Sequence, residues 1–354
     1  MEVRISAEES LSKAANILIR STNWIGDAVM TLPAIAAVRN TFPRARITIL
    51  AKPWVAELFE LCPDIDEIML FQSPGIHDGL AGKWRIARDI RKKQFDAAIL
   101  LQNAIEAAII AFLAGIPVRA GYNSDGRGLL LTHSVQRTKA IRKVHQTDYY
   151  LEMVKALGCR PAGREAVLKL GKDDERLAGE LLAGYGLQDS RLLVGMAPGA
   201  TYGPAKKWFP ERFSSVADRL ADGFSAQIVL FGSSEDNDTA ATVQARAKYP
   251  MFDLTGKTSL KEAMALMSRC RLFISNDSGL MHVAAALGVP TVAIFGSTNP
   301  ATTSPPGQNN IIIYKDVACS PCLKTDCPTD FQCMGLIGVD DVYEAAVRML
   351  DQGT

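Results

Sequence analysis

The sequence has almost no net charge: 39 Lys and Arg stand against 38 Asp and Glu, for a formal charge of +1. No global field therefore draws the chain to nucleic acid or to an anionic membrane, and any basic site must be local. No apolar run approaches the ~20 residues that a spanning helix needs. The opening MEVRISAEESLSKAA lacks the basic-then-apolar pattern of a targeting peptide. These two absences lead us to expect a cytoplasmic protein. No GxGxxG follows any segment that reads as a strand, and no GxxxxGK followed by Ser or Thr is present. Dinucleotide redox chemistry and P-loop phosphoryl transfer thereby lose their main support. The cysteines also lack the layout of a disulfide framework. There are seven, three scattered (Cys62, Cys159, Cys270) and four gathered between Cys319 and Cys333.

What is present is a strongly periodic chain. With 354 residues, 48% hydrophobic and 22% charged, it is too long for one ordinary core of ~100–200 residues, so two domains are expected. The apolar run Ala15–Arg20 reads as a buried strand, and Val29, Leu32, Ile35, Ala36 and Val38 after it have helical spacing. The alternation continues with strands at 46–51, 67–71 and 96–101, separated by helices near 55–61, 83–93 and 104–113. The stretch 119–145 reads as loops plus a short strand, followed by a helix near 148–157. A second series has strands at 192–197, 227–231, 252–254, 272–275 and 291–295, with helices from about 236, at 259–268 and at 278–287. This rhythm predicts an α/β chain of two Rossmann-like doubly wound domains, residues 1–175 and 176–354, facing a central cleft at the carboxyl ends of both sheets.

Four strand ends carry residues suited to chemistry. STNWIGD (21–27) places Gly26 for close backbone approach and Asp27 in a first helical turn. An acid there also serves the helix dipole without any chemistry. APGATYGPAKKW (197–208) combines a small-residue turn with Thr201, Lys206 and Lys207, a cradle for a diphosphate or a plain solvated turn. SNDSGLMH (275–282) opens a helix at Asp277, Ser278 and Gly279, where free N–H groups can hold phosphate, and brings His282 one turn later onto the side of Ser278. FGSSE (231–235) adds Glu235, a carboxylate able to accept from ribose hydroxyls. These four favour a sugar nucleotide over a redox cofactor. Cys319, Cys322, Cys327 and Cys333 have a CxxC-type spacing that could hold a structural zinc, although the second pair is wider than in a standard ribbon; reduced thiols or a disulfide are the other readings.

In order and approximate spacing, NWIGDAVMTLPAI, PGATYGPAKKW, FGSSED and NDSGLMHVAAALGVPTVAIFGSTNP resemble the ADP-heptose:lipopolysaccharide heptosyltransferases, glycosyltransferase family 9, and most of all its members that add the second heptose. The resemblance runs nearly the whole chain. It implies a GT-B fold, with the amino-terminal domain for a lipid A-linked Kdo-heptose acceptor and the carboxyl-terminal domain for ADP-heptose. It further implies an inverting reaction that requires no metal, and transient contact with the cytoplasmic face of the inner membrane. In that reading Asp27 is the catalytic base and Lys206 neutralises the leaving diphosphate, with Lys207 as the alternative. Thr201, Asp277, Ser278, Gly279 and His282 bind the donor, and Glu235 contacts its nucleoside. For the anionic acceptor, Lys52, Arg119, Arg127, Arg142 and His145 are the cationic candidates. Addition of the first heptose, another GT-B transfer and a non-catalytic nucleotide-binding scaffold are the competing readings.

Overall fold

The computed structural model describes residue 11 and residues 13–189 and 191–351. Residues 1–10 and 12 of the stretch read for a targeting pattern lie outside these described residues. The chain divides into two compact units, Met1–Ala166 and Val167–Thr354. This division falls a few residues before the boundary expected between residues 175 and 176.

The first unit opens with β1 (Asn16–Arg20), α1 (Ile25–Thr41), β2 (Arg46–Ala51), α2 (Pro53–Glu60), β3 (Glu67–Leu70) and α3 (Gly79–Lys92). It continues with β4 (Ala97–Leu100), α4 (Ile105–Leu113), β5 (Val118–Tyr122), β6 (His133–Val135) and α5 (Gln146–Lys155). The region 119–145 thus supplies two strands where one was expected. The six strands pair in parallel in the order β3-β2-β1-β4-β5-β6. β4 and all of β1 beyond Asn16 are buried, which is why they read as unbroken apolar runs rather than alternating ones.

The second unit repeats the plan: α6 (Lys172–Gly184), β7 (Leu193–Ala197), α7 (Pro210–Phe224), β8 (Gln227–Leu230), α8 (Asn237–Arg246), β9 (Phe252–Asp253) and α9 (Leu260–Met267). Then come β10 (Leu272–Asn276), α10 (Gly279–Ala286), β11 (Thr291–Ile294), α11 (Pro300–Thr303), β12 (Asn310–Ile313), α12 (Gln332–Gly335) and α13 (Val339–Asp351). Its parallel order is β12-β11-β10-β7-β8-β9. Local signals set several ends. Pro210 starts α7 at a position that needs no N–H. Ser259 and Glu262 close a capping box on α9, with Ser259 Oγ accepting from Glu262 N at 3.2 Å and Glu262 Oε2 accepting from Ser259 N at 2.8 Å. The core under this sheet is anchored by Trp208, fully buried and edge-on to Phe213 at 5.2 Å between ring centroids.

In both sheets the first strand of the unit lies beside the fourth, so the strand order reverses between β1 and β4 and between β7 and β10. Loops leaving the carboxyl ends of such a pair diverge and leave a crevice.

Candidate active site

At the reversal point of the second sheet, the loop after β7 meets the loop after β10. Lys206 Nζ lies 2.6 Å from Asp277 Oδ2, with the side chains only 14% and 5% exposed. Thr298 Oγ1 donates to the same carboxylate oxygen at 2.6 Å. Asn276, at the end of β10, ties the two loops together. Its Nδ2 donates to Pro198 O at 2.7 Å, and its Oδ1 accepts from Trp208 N at 3.0 Å. The Lys206 ammonium also sits 4.8 Å from the centre of the Tyr202 ring, a cation–π contact that supports the same placement.

The next loop locks on from the side. Asp236 is buried and accepts from both Ser233 N and Ser233 Oγ at 3.0 Å. Lys207 approaches it at 3.8 Å. A Cβ on Gly199 would stand 2.0 Å from Asp236 Oδ1, so the turn after β7 closes only around a glycine. Thr201 and Glu235 are exposed. Ser278 is the N-cap of α10, and its Oγ lies 3.0 Å from Ser275 Oγ. The first N–H groups of α10, beginning at Gly279, have no turn before them to accept their hydrogens. His282 is buried within α10. The turn thus groups Lys206, Asp277 and Thr298 by direct contact, whereas Lys207 pairs instead with Asp236. Asp236, Asn276 and Thr298 were not singled out in the sequence; only their position beside strand ends could have drawn attention to them.

In the first unit Asp27 occupies the first turn of α1, half-buried, after an N-cap (Trp24) that makes no side-chain cap bond. Its charge is one of the influences holding the buried Tyr150 phenol above its ordinary range, after burial itself. At the end of β1, Arg20 is buried, donating to Ser21 O at 2.6 Å, Leu50 O at 3.2 Å and Asn23 Oδ1 at 3.1 Å. Burial pushes its guanidinium down to about 10, against the pull of Glu106.

Three cations surround one ring. Arg20 lies 5.0 Å from the centroid of Phe71, Lys52 5.7 Å and Lys83 4.7 Å, and Lys83 pairs with Glu106 at 2.6 Å. The Lys52 ammonium, which also donates to Ser73 O, is held below its ordinary value by burial and then by the positive charges of Arg20 and Lys83. Of this group only Lys52 was picked out from the sequence, because Arg20 and Lys83 read there as a strand end and a helix surface.

The other acceptor candidates are less concentrated. Arg127 is fully buried and gives its guanidinium to backbone carbonyls, Nε to Tyr122 O at 2.7 Å and Nη2 to Leu100 O at 3.4 Å. Burial pushes it down to about 10. Arg119 likewise donates to Leu130 O at 2.7 Å and to Ile116 O. His145 caps α5, its Nδ1 accepting from Thr147 N at 3.1 Å. Arg142 is exposed. Arg119, Arg127 and His145 therefore hold the framework of the region 119–145.

Cys319, Cys322, Cys327 and Cys333 line one cavity of about 230 Å³. Cys327 Sγ accepts from Phe331 N at 3.2 Å, and hydrogen bonding from Thr329 is the main influence that holds its thiol below the ordinary value. Among the described residues no three His, Cys, Asp or Glu side chains are arranged as a metal-ion ligand set, and all four cysteines are free thiols. The segment does touch the site. Thr325 O accepts from Ala205 N at 2.9 Å, and Leu323 O accepts from Tyr202 OH at 2.8 Å.

Two units of six parallel strands, each reversing beside its first strand, with an acid after β1 and a lysine-bearing small-residue turn after β7, define a GT-B glycosyltransferase. Residues 83–332 match the model of glycosyltransferase family 9 (heptosyltransferase). Lipopolysaccharide heptosyltransferase 2 of Escherichia coli is 31% identical over 82% of this chain and 85% of its own length. Its counterpart from Salmonella typhimurium is 30% identical with the same coverage. The structure of the Escherichia coli ADP-heptose LPS heptosyltransferase II superposes with a TM-score of 0.82 at 26% identity, covering 96% of this chain and 99% of that one. The chain belongs to glycosyltransferase family 9.

Proposed function

We propose that the protein transfers L-glycero-D-manno-heptose from ADP-heptose to the first heptose of a lipid A-linked lipopolysaccharide inner core, with inversion, from the cytoplasmic side of the membrane. The observation that carries this reading is the buried Lys206–Asp277 pair at the β7/β10 reversal point, in a chain whose relatives are named lipopolysaccharide heptosyltransferase 2.

In the reaction, Asp27 takes the proton of an acceptor hydroxyl as its oxygen attacks the anomeric carbon; the bond from that carbon to the phosphate oxygen breaks, and ADP leaves with the electron pair. An ionised carboxylate suits this role, because the hydroxyl becomes acidic only as the new bond forms. Lys206 neutralises the negative charge that grows on the diphosphate, and the reaction needs no metal for that purpose. Thr201 and the N–H groups at Ser278 and Gly279 hold the phosphates, with Asp277 and His282 positioning this turn. Lys207 supports the turn after β7 through Asp236. Glu235, exposed at the neighbouring strand end, accepts from the ribose. Lys52 and Arg142 receive the anionic groups of the acceptor, in a region framed by Arg119, Arg127 and His145.

The test is transfer from ADP-heptose to purified core acceptors carrying Kdo alone or Kdo plus one heptose, read by mass spectrometry. Product only on the heptose-bearing acceptor is expected. Product on Kdo alone would reassign the protein to addition of the first heptose, and no product on either would overturn the reading.

A further inference from the structure

The outer side of α3 and α4 carries a surface that the transfer chemistry does not use. The two helices share one core through Ile86, Ala87 and Ile90 on α3 and Ala107, Ala108, Ile110 and Ala111 on α4. They lie side by side and in the same direction. Lys83 pairs with Glu106 where both begin, and Arg91 donates to Ala114 O at 3.3 Å where both end. Their solvent sides hold large apolar groups in helical register. On α3 these are Leu80 (86% exposed) and Trp84 (57%); on α4 they are Ile105 (42%), Ile109 (37%) and Phe112 (52%). Single exposed apolar residues are ordinary, but five on two neighbouring helices at i, i+4 and i, i+3 spacings form a patch.

The charge beside this patch is mainly positive. Residues 74–93 contain six Lys or Arg against two Asp, a net charge of +4 in a chain whose total is +1. Of these, Arg85 and Arg88 are exposed on α3 itself. A second copy of the same face would set these cations against one another, whereas an anionic lipid surface satisfies both the apolar side chains and the charge.

We infer that the outer face of α3 and α4 is the surface by which the protein rests on a bilayer of anionic phospholipid, with Trp84 and the aliphatic groups entering the headgroup boundary and Arg85 and Arg88 meeting lipid phosphates. The start of α3 follows the carboxyl end of β3, the sheet edge that also bears Lys52. Lys83 joins the helix to the Phe71 cluster. A bilayer seated there lies beside the acceptor candidates of this unit. The inference deepens the proposed transfer to a lipid-anchored acceptor and rests on that reading only for its purpose, not for the surface itself.

The experiment is flotation of the full chain with vesicles of phosphatidylethanolamine and phosphatidylglycerol, compared with phosphatidylcholine alone. Binding to the anionic vesicles that weakens with salt is expected. Arg85→Gln with Arg88→Gln should lower partitioning about 30-fold, since each basic residue near such a surface contributes about a fivefold factor. Trp84→Ser with Ile109→Ser should lower it by about tenfold or more, with circular dichroism unchanged because both side chains are exposed. Turnover on a delipidated acceptor should be the same in all four proteins: wild type, the two variant pairs and their combination. That assay separates the two readings, because loss of transfer itself would fail the enzyme assignment while leaving vesicle binding to be read alone. No flotation of the wild type, or flotation indifferent to both pairs, would overturn the inference. So would a concentration-dependent dimer abolished by Trp84→Ser with Ile109→Ser, which would make the patch an interface between copies.

Discussion

The Lys206 ammonium and the Asp277 carboxylate are 2.6 Å apart although 71 residues separate them in sequence. The contact exists because β7 and β10 are neighbours in the sheet. A buried pair of this kind makes a stability claim and a chemical claim that can be separated. Lys206→Ala leaves the buried Asp277 carboxylate without its ammonium partner, with the Thr298 hydroxyl still donating to that oxygen, and should cost about 3–5 kcal/mol in thermal or urea unfolding. Turnover should also fall by ~10²–10³. Lys206→Met combined with Asp277→Leu should recover most of the stability and none of the turnover. If activity survives Lys206→Ala, the lysine only holds the loops together.

Asp27 is a first-turn acid on α1 and so favours its helix whatever its chemistry. Asp27→Asn keeps the size and removes the base. Donor affinity by calorimetry should stay within about twofold, while kcat falls by ~10²–10⁴. An unchanged kcat would remove Asp27 from the proposed mechanism.

Two glycines make opposite predictions. Gly199→Ala drives a methyl group to 2.0 Å from Asp236 Oδ1, in a site where that carboxylate already holds Ser233. It should destabilise by about 1–3 kcal/mol and weaken ADP binding through the displaced turn. Gly179→Ala, inside α6 with nothing within 4 Å of the added atom, should instead raise stability by about 0.5–1 kcal/mol. Paired melting curves check both.

The thiols divide by environment. Burial pushes Cys62 and Cys270 up to about 12 and Cys159 up to about 11, so these three should resist alkylation until the chain unfolds. Cys327, held below its ordinary value by the Thr329 hydroxyl, should be labelled in the native state at a lower pH than the other thiols. Peptide mass spectrometry after brief iodoacetamide treatment at a series of pH values reads the order. Early labelling of Cys270 would contradict the burial described here.

Most of the sheet pattern was legible because fully buried parallel strands are written as apolar runs, as in NILIR, AAIL and LFISN. β12, α7 and α13 were not assigned. β12 (NIII) follows a Pro- and Gly-containing loop and is half-buried, so it gives only a short signal. The strand-end turns were legible because small residues and hydroxyls cluster there. The partners that fix them were not. Asn276 reaches the backbone of Pro198, and Thr298 reaches Asp277, through contacts between loops distant in sequence. The same limit applies to cations. Arg127 counts as one charge among many in the sequence, yet it is fully buried and given to carbonyls, while Arg20 and Lys83 converge on Phe71 with Lys52.

Residue 203 has a left-handed-side backbone (φ +151) and an added Cβ there would stand 2.5 Å from the carbonyl oxygen of Thr325, the same oxygen that accepts from Ala205. The turn that carries Lys206 and the cysteine-bearing segment therefore have to be inherited as a pair. A chimera that exchanges 198–207 for the turn of a relative, while keeping 319–333, would lose its fit unless position 203 stays glycine. A relative in which that second segment is shortened loses the clash with the carbonyl, and only the positive φ then still favours glycine at the equivalent of Gly203.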